Sequence, residues 1–455
     1  VSPFVLLTAL LALAFIGSML VSGHSIRGFG LPSGSEFLVL GVLVGPRFLG
    51  VVTRESLEGF EALTLAALAW LTFAFGSDYG YVGRKRVSLD RMLTGLGLSA
   101  LTGLCTAGPA VVLAFALTDL AARDVLVLGL GVAAVSAETT RHAMRWVAQR
   151  YSADGPLTKL LADLSEADDA LPILMLAVVA AILPQEAALA LPGLPWSGLA
   201  ATVGIGGALG ATCAALFDIE PRYSQRWGIL LGTGLLCIGV SLRLGLSAPS
   251  ATFIMGIVAT ALAKERGALQ SLLGSTERAS MLPALVLAGV HIVIPPLMPF
   301  ALIAVSVLGA RVLAKLLSGR VVSGMLEPKT RRSPSLGLGL LPAGVLSIVV
   351  GLAFVIRFPG QASEWILALA ALNALAGELL GTVFLRRELR AAGEISPLSV
   401  APSSRPPPRP TAEEERAAAR LIRTTTGRSV STRPPPSLIR TTTGRLRPAP
   451  AKRKP

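Results

Sequence analysis

The chain has 455 residues, 52% of them apolar and 15% charged, with a mean hydropathy of +0.66 and a formal net charge of +14. That balance excludes a soluble globular domain and implies an integral membrane protein. Cys105, Cys213 and Cys237 all fall inside apolar runs without ligand spacing or evident pairing, so they read as small hydrophobes and not as a disulfide or metal framework.

Apolar windows separated by charged or Pro/Gly-rich loops predict thirteen membrane spans. They cover residues 3–21, 37–52, 60–75, 92–117, 125–147, 158–183, 196–217, 227–242, 248–263, 281–293, 298–317, 336–355 and 365–385. The first lacks a basic n-region and is long for a signal-peptide core, so it is kept as a span. With the C-terminus inside, the cytoplasmic loops collect the GRKR run at 83–86, Arg145, Arg150, Lys264, Arg266, Lys329, Arg331 and Arg332. The opposite loops hold little beyond Arg47, Arg54, Arg123, Arg243 and Arg357. This asymmetry predicts an N-terminus outside and a cytoplasmic C-terminus.

The fifth span is interrupted in mid-course by Ser136, Glu138, Thr139, Thr140, Arg141 and His142. Glu138 and Arg141 stand at the spacing of a local helical pair, and two readings stand: mutual neutralisation, or a place on an ion path. His142, like His291 further on, reads as a satisfied structural imidazole.

The sixth span places Asp163, Glu166, Asp168 and Asp169 in an apolar run. Each acid at the centre of a membrane helix costs about 3 kcal/mol on insertion scales. At about 1.5 Å per residue, Asp168 and Asp169 lie roughly 15 to 17 Å inside, near the midplane, and about 100° apart around the helix. They are read as an ion site, with one acid facing a cavity and the other a basic residue. Asp163 and Glu166, nearer the cytoplasmic end, are read as snorkelling or pairing with Lys159, or as part of the site.

The eleventh span carries Arg311 deeper than Lys315 and Arg320, which are placed near the cytoplasmic end. A buried guanidinium needs an anion, and pairing Arg311 with Asp168 leaves Asp169 for the transported ion; the alternative is a snorkelling Arg311. The twelfth span is weakened by Gly337, Gly339, Pro342 and Gly344. If the chain is two six-helix halves joined by the seventh span, the interrupted fifth and twelfth spans occupy matching places, the sequence pointer to a transporter site.

Beyond about Ser396 the composition turns to Pro, Arg, Ser and Thr, with thirteen Lys or Arg against three Glu, about +10 of the net charge. Residues 395–455 are read as a disordered cytoplasmic tail attracted to anionic lipid headgroups. LIRTTTGR occurs twice, at 421–428 and 438–445. It is read as a tandem duplication or a short binding motif. No aromatic platform accompanies the basic charge, so nucleic acid is not the expected partner.

Residues 1–394 resemble the monovalent cation:proton antiporter superfamily. The resemblance rests on Gly41, Gly45, Pro46, Leu49 and Gly50 in the second span, on Ala167, Asp168 and Asp169 of the sixth, which are similar to the Asp-Asp helix of the bacterial sodium/proton branch, on Arg311, and on the closing run from Leu389 to Glu394. The resemblance implies an all-α polytopic fold of two inverted-topology repeats, with crossed broken helices in a core domain that moves against a dimerisation domain, and a homodimer. It implies exchange of Na+, or K+ or Li+, for H+ across a bacterial-type inner membrane, with no enzymatic chemistry and no cofactor. Asp169 takes the transient cation or the proton and Asp168 pairs with the basic residue, here Arg311. Ser136, Thr139, the unwound backbone and Glu138 are the further candidate oxygen ligands. Two departures stand out. Arg replaces the usual Lys and cannot give up its proton, and the fifth span reads SAETT. A transport-inactive sensor or scaffold acting through the basic tail is the alternative. An intramembrane aspartyl protease is disfavoured, because Leu340 occupies the place of its second Asp.

Overall fold

Hydrocarbon offers backbone groups no hydrogen-bond partners, so apolar spans of this kind fold as helices, and their breaks must be buried in protein. The computed structural model describes residues 34–46, 48–52, 57, 59, 61–79, 89–183, 195–220, 222–293, 295–326 and 335–395, with 438–440 and 446–448. The predicted first span, the GRKR run and most of the tail lie outside the described residues.

The chain runs through α1 (Glu36–Val44), α2 (Glu61–Tyr79), α3 (Leu89–Leu117), α4 (Ala122–Ala137), α5 (Arg141–Tyr151), α6 (Pro156–Ala167), α7 (Ala170–Ile182) and α8 (Pro195–Ile219). It continues through α9 (Tyr223–Arg243), α10 (Ala248–Leu262), α11 (Arg266–His291), α12 (Leu297–Met325), a 3-10 turn (Leu336–Leu340), α13 (Val345–Arg357), α14 (Gln361–Ala376), a π turn (Gly377–Gly381) and α15 (Thr382–Ala391). Among the described residues, five stretches are long and apolar enough to cross a membrane: Leu89–Leu117, Trp196–Ile219, Tyr223–Arg243, Leu297–Met325 and Gln361–Ala391. The protein is an all-α integral membrane protein.

Two groups of helices emerge from the packing. Helices α1, α2 and α8 to α11 pack mainly on one another, and α3 to α7 together with α12 to α15 form a second group that packs mainly within itself. In the first group α1 meets α11 at Gly41 and Gly289, where a side chain on either glycine would collide with the facing backbone. In the second, Gly319 of α12 and Gly337 of the 3-10 turn allow a similar backbone approach.

The fifth and twelfth spans are both broken, as expected. Between α4 and α5 the backbone is extended at Glu138 (φ −63°, ψ 144°) and Thr140 (φ −68°, ψ 122°). Between the 3-10 turn and α13, residues 341–344 form no helix. The sixth span, expected as one helix, is also divided: α6 stops at Ala167, and α7 starts at Ala170, with Asp168 and Asp169 at the joint. The second span, expected over 37–52, is helical only to Val44, after which Gly45 is extended and Gly50 takes a positive φ of 61°.

The closing run of the membrane region has a local purpose. Glu394 accepts from Leu157 N at 2.7 Å, Thr158 N at 2.8 Å and Thr158 Oγ1 at 2.6 Å, so a distant carboxylate caps the free N–H groups that begin α6. In the tail, taken by itself, β1 (Leu438–Arg440), at the start of the second LIRTTTGR copy, pairs antiparallel with β2 (Leu446–Pro448).

Candidate functional site at the helix crossing

The two breaks meet. Thr140 N donates to Pro342 O at 2.8 Å, and Thr139 Oγ1 donates to Leu340 O at 3.2 Å, so each extended segment satisfies the other's backbone. Gly344 lies against the Thr140 side chain, where a β-carbon would collide.

A buried break of this kind leaves an α4 C-terminus rich in free carbonyls and an α13 N-terminus rich in free N–H groups, which call for a cation and an anion. Arg311 answers the first need. Its guanidinium, 2% exposed, donates from Nε to Ser136 O at 3.0 Å, from Nη2 to Glu138 O at 2.8 Å and from Nη1 to Leu341 O at 2.8 Å. Glu138 answers the second. Its carboxylate accepts from Ser347 N at 2.5 Å and from Ser347 Oγ, in the first turn of α13.

Lys315, four residues after Arg311 and 2% exposed, donates from Nζ to Thr139 Oγ1 at 2.8 Å and to Ala137 O at 3.2 Å. The same ammonium lies 3.9 Å from Asp168 Oδ2, while the buried Asp168 Oδ1 has no hydrogen-bond partner. Asp169, 3% exposed, faces the other way, with Oδ2 3.8 Å from Arg141 Nε. Asn373 of α14 donates to Ser136 Oγ at 3.1 Å.

Several expectations are corrected by this geometry. Arg311 neither snorkels nor makes an ion pair with Asp168; its three nitrogens are taken by carbonyls, and Lys315 is the base beside that acid. Depth was misjudged because α12 continues to Met325, past the expected end of the span at residue 317, which draws Lys315 about 15 Å inside the helix end. Glu138 and Arg141 do not pair either, since the backbone between them is extended and the helical spacing does not apply. Asp163 pairs with Arg91 at 2.5 Å and Glu166 with Arg145 at 2.6 Å, while Lys159 lies 3.0 Å from Asp154. His291 Nδ1 is satisfied by Leu287 O at 2.8 Å, and His142 Nε2 lies 3.4 Å from Glu277 Oε1.

Ser136, Glu138 and Thr139 are thus brought to the crossing with Asp168, but each is engaged in holding it. One residue of the site, Lys315, escaped the sequence reading, while Arg141 was weighed for the ion path but paired with Glu138 and not with Asp169. The signal for Lys315 was present: it follows Arg311 at a spacing that puts both on one helix face.

Chemically, the crossing gathers three carboxylates, Asp168, Asp169 and Glu138, and three bases, Lys315, Arg141 and Arg311. Arg141 also pairs with Asp78 and Glu277, so the wider cluster holds more acids than bases; whatever its resting charge, an added cation raises it unless a proton departs, and in a low dielectric that difference is costly. Of the bases, lysine can lose a proton and arginine cannot.

No protein-family model matches this chain, and no curated protein does. Among solved structures, it is similar to the sodium proton antiporter MjNhaP1 from Methanocaldococcus jannaschii at pH 8, with 17% identity and a TM-score of 0.59 over 84% of this chain and 98% of that one. An electron-microscopy structure of the same antiporter is similar at 20% identity, with a TM-score of 0.56 over 85% of this chain and 98% of that one. At such identity the likeness establishes a shared fold.

Proposed function

We propose that the chain belongs to the monovalent cation:proton antiporter superfamily and exchanges a monovalent cation, sodium first among them, for protons across a bacterial-type inner membrane, with its C-terminus in the cytoplasm. The shared fold supports the class. The observation that carries the reading is the buried Asp168–Asp169 joint beside the crossing, with a free Asp168 oxygen and a lysine at 3.9 Å.

In this reading Asp169 takes the cation, with Asp168 and its unpartnered oxygen beside it. Arrival of the cation makes proton loss from Lys315 favourable by charge balance, and departure reverses this. Cation and proton thus compete for one site. Lys315 supplies the ionisable base that Arg311 cannot be, and Arg311 holds the two breaks together. The membrane region works as a homodimer, and the basic tail rests on anionic headgroups.

The test is proton flux in proteoliposomes with an internal pH dye, on addition of sodium, potassium or lithium. Flux with one cation that vanishes in Asp169→Asn and falls at least tenfold in Lys315→Gln is the expected result. No flux with any cation, from folded wild-type protein, overturns the antiporter reading and leaves the sensor or scaffold.

A further inference from the structure

Arg141 begins the second half of the broken fifth span, yet its main partners lie in the other group of helices. Nη1 donates to Asp78 Oδ2 at the end of α2, and Nη2 donates to Glu277 Oε1 of α11 at 2.9 Å. The guanidinium lies over the Phe75 ring, 4.7 Å from its centre, and Asp78 Oδ1 is held in turn by Gln270 Nε2 at 2.5 Å. Only Nε is left over. It is buried, makes no hydrogen bond, and points its charge at Asp169 Oδ2 from 3.8 Å.

We propose that Arg141 is a tethered counter-cation for Asp169, a positioning residue whose grip on that carboxylate is set by Asp78 and Glu277 across the boundary between the two helix groups. The inference rests on the antiporter reading. While Asp78 and Glu277 hold two of its nitrogens, the guanidinium stays beyond hydrogen-bond distance of Asp169, and the carboxylate remains open to the transported ion. When the groups part, the guanidinium loses both acids and Asp169 is the buried anion nearest to it. Closing on it would expel the bound cation.

A second feature fits this. At the opposite end of the bundle the same two groups enclose a cavity of about 530 Å³, with Leu65 and Arg243 on one side and Leu176 and Ala353 on the other. At the Asp78 end the boundary is closed by the ion pairs of Arg141; at the other it holds the cavity, spanned at one point by the bond from Arg357 Nη2 to Gly245 O, an asymmetry that fits one state of an alternating pair.

Measure the apparent KM and the maximal rate for sodium in proteoliposomes at one fixed pH, for wild type, Arg141→Gln, the Asp78→Asn/Glu277→Gln pair and the triple variant. An opposite charge within about 4 to 6 Å alters the binding of a competing cation by tenfold or more. Arg141→Gln should therefore lower KM about tenfold, and the paired change should raise it about tenfold by releasing Arg141 onto Asp169. The triple variant should match Arg141→Gln. A merely structural role would reduce the maximal rate in all three without moving KM in opposite directions. An unchanged or raised KM in Arg141→Gln, or a KM rise that persists in the triple variant, overturns the inference. If Arg141→Gln does not fold, the paired change decides alone, by a raised KM or its absence. Wild-type flux lost in Asp169→Asn with KM unmoved in these variants sinks this inference only, whereas a wild type without flux sinks the antiporter reading and this with it.

Discussion

Two buried guanidiniums, Arg311 and Arg141, sit on either side of the Asp168–Asp169 joint and are held in opposite ways. Arg311 gives its hydrogen bonds to three carbonyls, all within one group of helices. Arg141 gives its own to carboxylates of two helices in the other group. Carbonyls at a broken helix end have no other partner to turn to, so Arg311 is part of the scaffold. Carboxylates across a boundary can be exchanged for another carboxylate, so Arg141 is placed to change partners. The same side chain is fixed in one place and contingent in the other because of what accepts its protons.

This contrast can be broken first at Arg311. Arg311→Ala leaves three buried carbonyls of the crossing without their donors, each costing about 1 to 3 kcal/mol, and should cost about 3 to 5 kcal/mol of stability in all. Thermal unfolding of the purified protein in detergent should show the largest loss of this set, with only partial recovery in Arg311→Lys, which lacks the fork. Arg141→Ala should cost less, about 1.5 to 3 kcal/mol. Of the acids it leaves behind, the side chains of Asp78 and Glu277 are 24% and 18% exposed and can draw on water, and the buried Asp169 can take up a proton and become neutral. If both variants melted alike, the distinction between scaffold and bridge would fail.

Smaller changes sharpen it. Ser347→Ala removes one of the two bonds that Glu138 receives at the start of α13 and should cost about 1 to 2 kcal/mol, with the backbone bond retained. Glu394→Gln weakens the cap on α6 and should cost about 1 kcal/mol by the same measurement. The least effect is expected at Glu265, where the bond from Arg226 at 2.5 Å holds the carboxyl below the usual carboxylate range. Its contribution is present above the ordinary Glu pKa and is lost as pH falls through the lowered value. Because Glu265 is largely exposed, Glu265→Gln should change the melting midpoint at neutral pH hardly at all.

How far the sequence could be read is clearest along α12. Its apolar run announced a span, and Arg311 within it announced a buried base. Hydropathy did not show that the helix continues to Met325, because Lys315 and Arg320 look like the end of a span when the interior that receives Lys315 is unknown. The break in the fifth span was legible from its run of polar residues, and the break in the twelfth from glycines and Pro342. The joint at Asp168 and Asp169 was legible as a pair of acids but not as a helix end, since their backbone angles stay in the α region.

By itself, then, the sequence determined the membrane class, the two breaks and the presence of an acid pair within an apolar run. These follow from transfer of side chains and backbone groups into hydrocarbon, which depends on residue type and on distance along a helix. Only the tertiary structure decided which base meets which acid: Lys315 beside Asp168, Arg141 beside Asp169, and Arg311 on the carbonyls. Those choices depend on how the helices are rotated and set against one another, and hydrophobic pattern carries depth without carrying that azimuth.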